Sequence, residues 1–177
     1  VHILDNHLID QDGFGTELGG GIYVDYSIFS MIDCVVSGNG GQGAYNTGGG
    51  LYLKDLENLT IDECSINDNQ GRDASALYIQ SSNDITYSIR NTEFTGNSTE
   101  SYGSSVIRSD SYYAHLDMEN VVIRDNNVRD YNYAIFAYGS GTFRNVTIAN
   151  NMDLAWGVEA RGGIMLQPSY GERASEI

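Results

Sequence analysis

Apolar residues in this chain come in short alternating runs separated by Gly, Asn, Asp and Ser. GGGIYV at 19–24 returns as GGGLYL at 48–53, and related runs follow at ALYI (76–79), VIRS (106–109), AIFA (134–137) and GIML (163–166). Their leading aliphatics, Ile22, Leu51, Leu77, Ile107, Ile135 and Ile164, are spaced 29, 26, 30, 28 and 29 residues apart. Such regularity marks an internal repeat.

A second element falls once per period. It is a nine-residue block: MIDCVVSGN (31–39), IDECSINDN (61–69), IRNTEFTGN (89–97), MENVVIRDN (118–126) and FRNVTIANN (143–151). The first position is apolar, the third a carboxylate or amide, the sixth Val, Ile or Phe, and the ninth Asn. The opening VHILDN (1–6) fits the end of an earlier block.

No segment carries the i, i+3, i+4, i+7 pattern of an amphipathic helix over a useful length. The alternation predicts short strands joined by turns. Two or three strands per period of 26–30 residues, with no helix, predict an all-β parallel β-solenoid of about six coils, one array over residues 1–177. Leucine-rich repeats and propeller blades have other patterns and periods.

In such a stack the aliphatics flanking each tyrosine point inward, so Tyr23, Tyr52, Tyr78, Arg108, Phe136 and Met165 form one outward stripe. Aromatic, Met and Arg side chains are enriched at interfaces. The stripe therefore docks a neighbouring subunit, stacks on sugar rings, or lies under loops of its own coils. The ninth-position asparagines, Asn6, Asn39, Asn69, Asn97, Asn126 and Asn151, are expected to form an inward amide ladder at one corner.

These motifs resemble right-handed parallel β-helix proteins of the pectate-lyase-like superfamily. The similarity is to the repeats of polymorphic outer-membrane proteins, which pair a GG-aliphatic motif with F-x-x-N. Gly20-Gly21-Ile22, Gly49-Gly50-Leu51 and Gly162-Gly163-Ile164 carry the first, and Phe94-Thr95-Gly96-Asn97 carries the second. The other blocks put Val or Ile in place of Phe, and the middle coils lose the glycines. The resemblance implies a secreted or surface protein; fold alone does not give function.

Composition narrows the picture further. The net charge is −15, with one Lys (Lys54), which disfavours nucleic acid and anionic membranes as partners. No apolar run is long enough to span a bilayer. Cys34 and Cys64 share a block position in adjacent coils and are expected to be small buried hydrophobes rather than a disulfide. His2, His7 and His115 fall in different registers, and no nucleophile or zinc motif appears, so no catalytic residue is assigned.

A pectate-lyase-like enzyme would need a calcium-binding carboxylate cluster beside a Lys or Arg base on one outward face. The second block position reads Ile32, Asp62, Arg90, Glu119, Arg144, which suggests cross-coil ion pairs instead. The loop DQDGFGTE (10–17) offers Asp10, Asp12 and Glu17 as calcium ligands without full EF-hand spacing, and an acidic loop is the better reading. Three sequons stand at Asn58, Asn97 and Asn145, with Asn58 expected in a loop and Asn97 in conflict with the inward ladder.

The chain begins inside a block and stops where the next would start. The expectation is an uncapped array, either inside a longer β-helix or stacked end to end. The function expected is an extracellular or cell-surface structural or adhesive element, such as a filament segment. Its partners would be copies of itself, end to end or laterally, flanking parts of the same chain, or glycans. The alternative is a carbohydrate-active lyase or epimerase, or a glycan-binding β-helix.

Overall fold

A computed structural model describes residues 1–8, 18–41, 47–99, 105–128, 133–153 and 163–167. Among them there is no helix, and every strand pairs with its neighbours in parallel. Three faces wind into a β-solenoid.

The first face is a six-stranded sheet built from the Gly-aliphatic motif: Ile22–Asp25, Leu51–Lys54, Ala74–Gln80, Ser105–Asp110, Tyr133–Tyr138 and Ile164–Gln167. Its register pairs Ile22 with Leu51, Leu51 with Leu77, Leu77 with Ile107, Ile107 with Ile135 and Ile135 with Ile164. The sequence period therefore sets the register: a one-residue slip would turn every aliphatic outward.

The second face carries the blocks. Each runs as a front strand and a back strand (Asn58–Asp62 then Ser65–Asn67, for example), which fuse in His115–Arg124 and Ser140–Ala149. The third face is a ladder of two-residue strands from His7–Leu8 to Met152–Asp153.

Two tight corners shape the block. The third position has positive φ in every turn: Asp33 (50°), Glu63 (51°), Asn91 (46°), Asn120 (54°) and Asn145 (51°). The eighth does likewise, at Gly38, Asp68, Gly96, Asp125 and Asn150. Asn, Asp and Gly tolerate this left-handed conformation best, which accounts for the Asx and Gly periodicity. The opening glycines answer a related need. Gly48 has φ of +74°, and a Cβ there would lie 2.6 Å from the Leu51 carbonyl oxygen. In the third turn the strand already begins at Ala74, and the left-handed glycine is not needed.

The core is one column of aliphatic and aromatic side chains. Val36, Ile66, Phe94 and Ile123 are stacked sixth-position residues, and Leu59, Tyr87 and Leu116 line up beside them. Full burial of each such side chain stabilises the fold by roughly 1.5–3 kcal/mol.

The expected six equivalent coils become about four enclosed turns, running from Met31 to Ala137. The front half of the block face has one strand fewer than the other columns, starting at Ile28–Ile32. Among the described residues, the first and last turns are covered on one side only. Ile3 and Ile22 at one end, and Phe143, Val146 and Ile148 at the other, are accordingly half-buried.

Candidate functional site

Three lines of side chains run along the solenoid axis. The inner one is the asparagine ladder. Asn39, Asn69, Asn97 and Asn126 are buried, and each accepts at Oδ1 from both the backbone N–H and the Nδ2 of the asparagine one turn earlier, at 2.9–3.1 Å. Each Nδ2 also donates to a sixth-position carbonyl of the preceding turn, Asn39 to Ile3, Asn69 to Val36, Asn97 to Ile66 and Asn126 to Phe94, and Asn151 does the same to Ile123. The amides thus satisfy backbone groups that the corner leaves unpaired.

The second line is the outward stripe, which the structure brings together along the first face. Tyr23 stacks on Tyr52 at 5.5 Å between ring centroids, and Tyr52 on Tyr78 at 5.1 Å. The Arg108 guanidinium bridges the Tyr78 and Phe136 rings at 5.9 and 5.4 Å, and Phe136 pairs with Met165. Polar groups tie the rings across turns. Tyr52 donates to Gln80 at 2.7 Å and Tyr78 to Asp110 at 2.6 Å, while Arg108 holds the other Asp110 oxygen at 2.9 Å.

Access along this stripe is uneven. Tyr23 is 46% exposed, but Tyr52 and Tyr78 are only 5% and 8% exposed, packed with Ala74 and Leu18. Burial, reinforced by the Asp110 hydrogen bond, pushes the Tyr78 hydroxyl far above its ordinary range. Burial likewise raises Tyr52.

The third line sits at the outer corner of the block. Asn91 donates to Asp62 at 2.8 Å, Asn120 to Asn91 at 3.0 Å and Asn145 to Asn120 at 2.8 Å. Beside it Arg90 and Arg144 flank Asp117 and Glu119, with N···O distances of 3.0–3.9 Å. These are cross-turn pairs on an open face, each worth about 1 kcal/mol or less.

An open groove of about 620 Å³ follows this corner, lined among others by Asp33, Glu63, Glu93, Asn91 and the two cysteines. Both thiols are free. Cys64 is buried, whereas Cys34, expected to be buried too, is half-exposed because its turn lies nearer the uncovered end. Each donates to the carbonyl two residues back, as Thr92 does in the next turn. Burial raises the Cys64 thiol.

The sequons differ in access. Asn97 is fully buried in the ladder, while Asn58 and Asn145 are exposed. Asn58, expected in a loop, opens the strand Asn58–Asp62 opposite Ile28, drawn in by the alternation of Leu59 and Ile61. The calcium candidates Asp10, Asp12 and Glu17 lie outside the described residues. Among the described residues no group of three or more His, Cys, Asp or Glu side chains converges as a metal site.

The aromatic neighbours of Phe136, Tyr112 and Tyr138, escaped the sequence reading. Tyr112 and Tyr138 meet at 4.6 Å, and Phe136 meets Tyr138 edge-on at 5.1 Å, with Tyr113 exposed nearby. The doubled tyrosine at 112–113 was the available signal, but it falls in a connection outside both repeated motifs.

Fold and side-chain lines together define a parallel β-solenoid protein. Comparison with family models, with curated proteins and with solved structures finds no match. No described helix is long and apolar enough to cross a membrane.

Proposed function

We propose that this protein is an extracellular structural β-helix element, a rigid rod of the cell surface or of a surface filament. The observation that carries this reading is that its repeated outward side chains bind the next turn of the same stack. The stripe, the outer Asn ladder and the Arg90–Asp117–Arg144 cluster all do so. Groups arranged this way stiffen an axis. The fit to the repeats of polymorphic outer-membrane proteins, and to the pectate-lyase-like superfamily more widely, supports the same surface setting. In a eukaryotic secretory pathway Asn58 would be the most open glycan acceptor, since the Asn145 amide is engaged with Asn120.

Electron microscopy of the native protein tests this. The expected result is continuous fibres with an axial repeat of about 29 Å, six turns at about 4.8 Å each. A longer repeat would place these residues within a larger subunit of the same kind of rod. Discrete globular particles at all concentrations would overturn the reading.

A second reading, glycan binding, rests on the Tyr112–Tyr138–Phe136 group, of which Tyr112 is exposed and the other two half-buried, and on the acidic groove. Aromatic faces next to polar groups suit sugar rings. Binding on a glycan array that is lost in Tyr138→Ala would favour it over the rod.

A further inference from the structure

Cys34 and Cys64 stand one above the other in adjacent turns. The pairs on either side of them, Ile32 with Asp62 and Val35 with Ser65, fix the register, and the Ser65 N–H donates to the Cys34 carbonyl at 2.9 Å. Both thiols take the same orientation. Cys34 Sγ donates to the Ile32 carbonyl at 3.1 Å and Cys64 Sγ to the Asp62 carbonyl at 3.0 Å, the equivalent group in each turn. Cys64 Sγ also comes within 3.5 Å of the Met31 carbonyl oxygen, in the turn that carries Cys34. Two residues in register with the same side-chain orientation differ by one step of the stack. Their sulfurs, like their Cβ atoms, are therefore about 4.8 Å apart.

That spacing is wrong for one chemistry and right for another. A disulfide needs Cβ atoms about 3.5–4.5 Å apart and sulfurs at about 2.05 Å. Both thiols are accordingly free. Two bonds from thiolates to a closed-shell d10 ion, each of about 2.3 Å, span about 4.6 Å when set in line. We propose that Cys34 and Cys64 form a two-coordinate site for a soft monovalent cation, Cu(I), held in line between adjacent turns.

Ligand count selects the ion. Zn(II) and iron–sulfur clusters also take thiolates, but they call for four ligands. Among the described residues no third His, Cys, Asp or Glu side chain converges on the pair. Thr92 holds the same block position in the next turn and donates to the Arg90 carbonyl at 2.6 Å, so a hydroxyl follows Cys64 where a third sulfur would extend the line. Calcium and magnesium want oxygen ligands in larger number. Soft sulfur donors at low coordination number suit Cu(I).

The ion has a way in. Both cysteines line the open groove of about 620 Å³, whose Asp33, Glu63 and Glu93 draw cations toward it. Cys34, half-exposed, meets the ion first, and Cys64, 4% exposed, closes the inner side. Binding breaks two S–H bonds and makes two Cu–S bonds. The two protons leave to water along the groove, and copper stays Cu(I) throughout.

Anaerobic titration with Cu(I) against a chromophoric Cu(I) chelator tests the site. One Cu(I) per chain should bind, with two protons released and two sulfur neighbours in the X-ray absorption spectrum. Cys34→Ser and Cys64→Ser should each abolish binding while circular dichroism stays unchanged, since Thr92 shows that this position accommodates a hydroxyl. Binding that survives in either variant, copper with a third or fourth ligand, or a folded protein that leaves all Cu(I) with the chelator overturns the proposal. Ready formation of a Cys34–Cys64 disulfide under hydrogen peroxide would overturn it too, because the sulfurs would then approach more closely than the register sets them. None of these outcomes touches the rod reading.

Discussion

The enclosed turns and the end turns are written in the same motif, yet they differ in what the motif achieves. In the block of 89–97, Ile89, Phe94 and Asn97 are wholly buried. In the block of 143–151, Phe143, Ile148 and Asn151 remain half-buried. The residues are of the same type and hold the same register, so the difference is that, among the described residues, nothing stacks on the outer side of the end block. A turn of this solenoid is stabilised by what stacks on each side of it, as nearest-neighbour stacking of repeats requires. Substitutions of equal chemistry should therefore cost more in the middle than at the ends.

The largest effect should come from the core column. Phe94→Ala empties the centre of the stack and should cost about 3–5 kcal/mol, whereas Ile148→Ala should cost about 1 kcal/mol, because its site is already partly wet. Urea titration of both variants reads the difference, and equal costs would break the comparison.

The asparagines come next. Asn69→Ala leaves the Asn39 N–H and Nδ2 without their acceptor and should cost about 2–4 kcal/mol. Asn6→Ala should cost well under 1 kcal/mol, since water replaces its bonds.

Tyr78 sharpens the comparison through pH. Burial and Asp110 raise its folded hydroxyl pKa above the unfolded value of about 10. The folded state then keeps a proton that the unfolded state gives up, so stability is complete below about pH 10 and falls as pH rises beyond it. Tyr78→Phe should lose about 1 kcal/mol at neutral pH and show a shallower alkaline fall. The smallest effect belongs to the open face. Arg144→Ala should leave stability almost unchanged, and high salt should erase any difference.

Much of this fold was legible in the sequence, because a parallel stack converts spacing directly into register. All five steps between the leading aliphatics pair as their spacing requires. Coil equivalence was not legible, since burial of Ile22 or Ile164 depends on a neighbour that composition does not describe. The left-handed corners were visible only as a preference for Asp, Asn or Glu at the third block position. Their conformation followed from the winding. Asp110 and Asp117 were missed as partners of Tyr78 and of Arg90 and Arg144, because their partners lie a whole turn away. The stripe was readable as a line, but its uneven burial was not, since Leu18 reaches it from outside the repeated motif.

The most direct test is backbone hydrogen exchange, followed amide by amide. At dilution, amides of the middle turns, around Ile66, Phe94 and Ile123, should exchange slowest, and those near Asn6 and Asn151 fastest. Protection that is uniform along the chain would contradict a rod built by stacking one turn on the next.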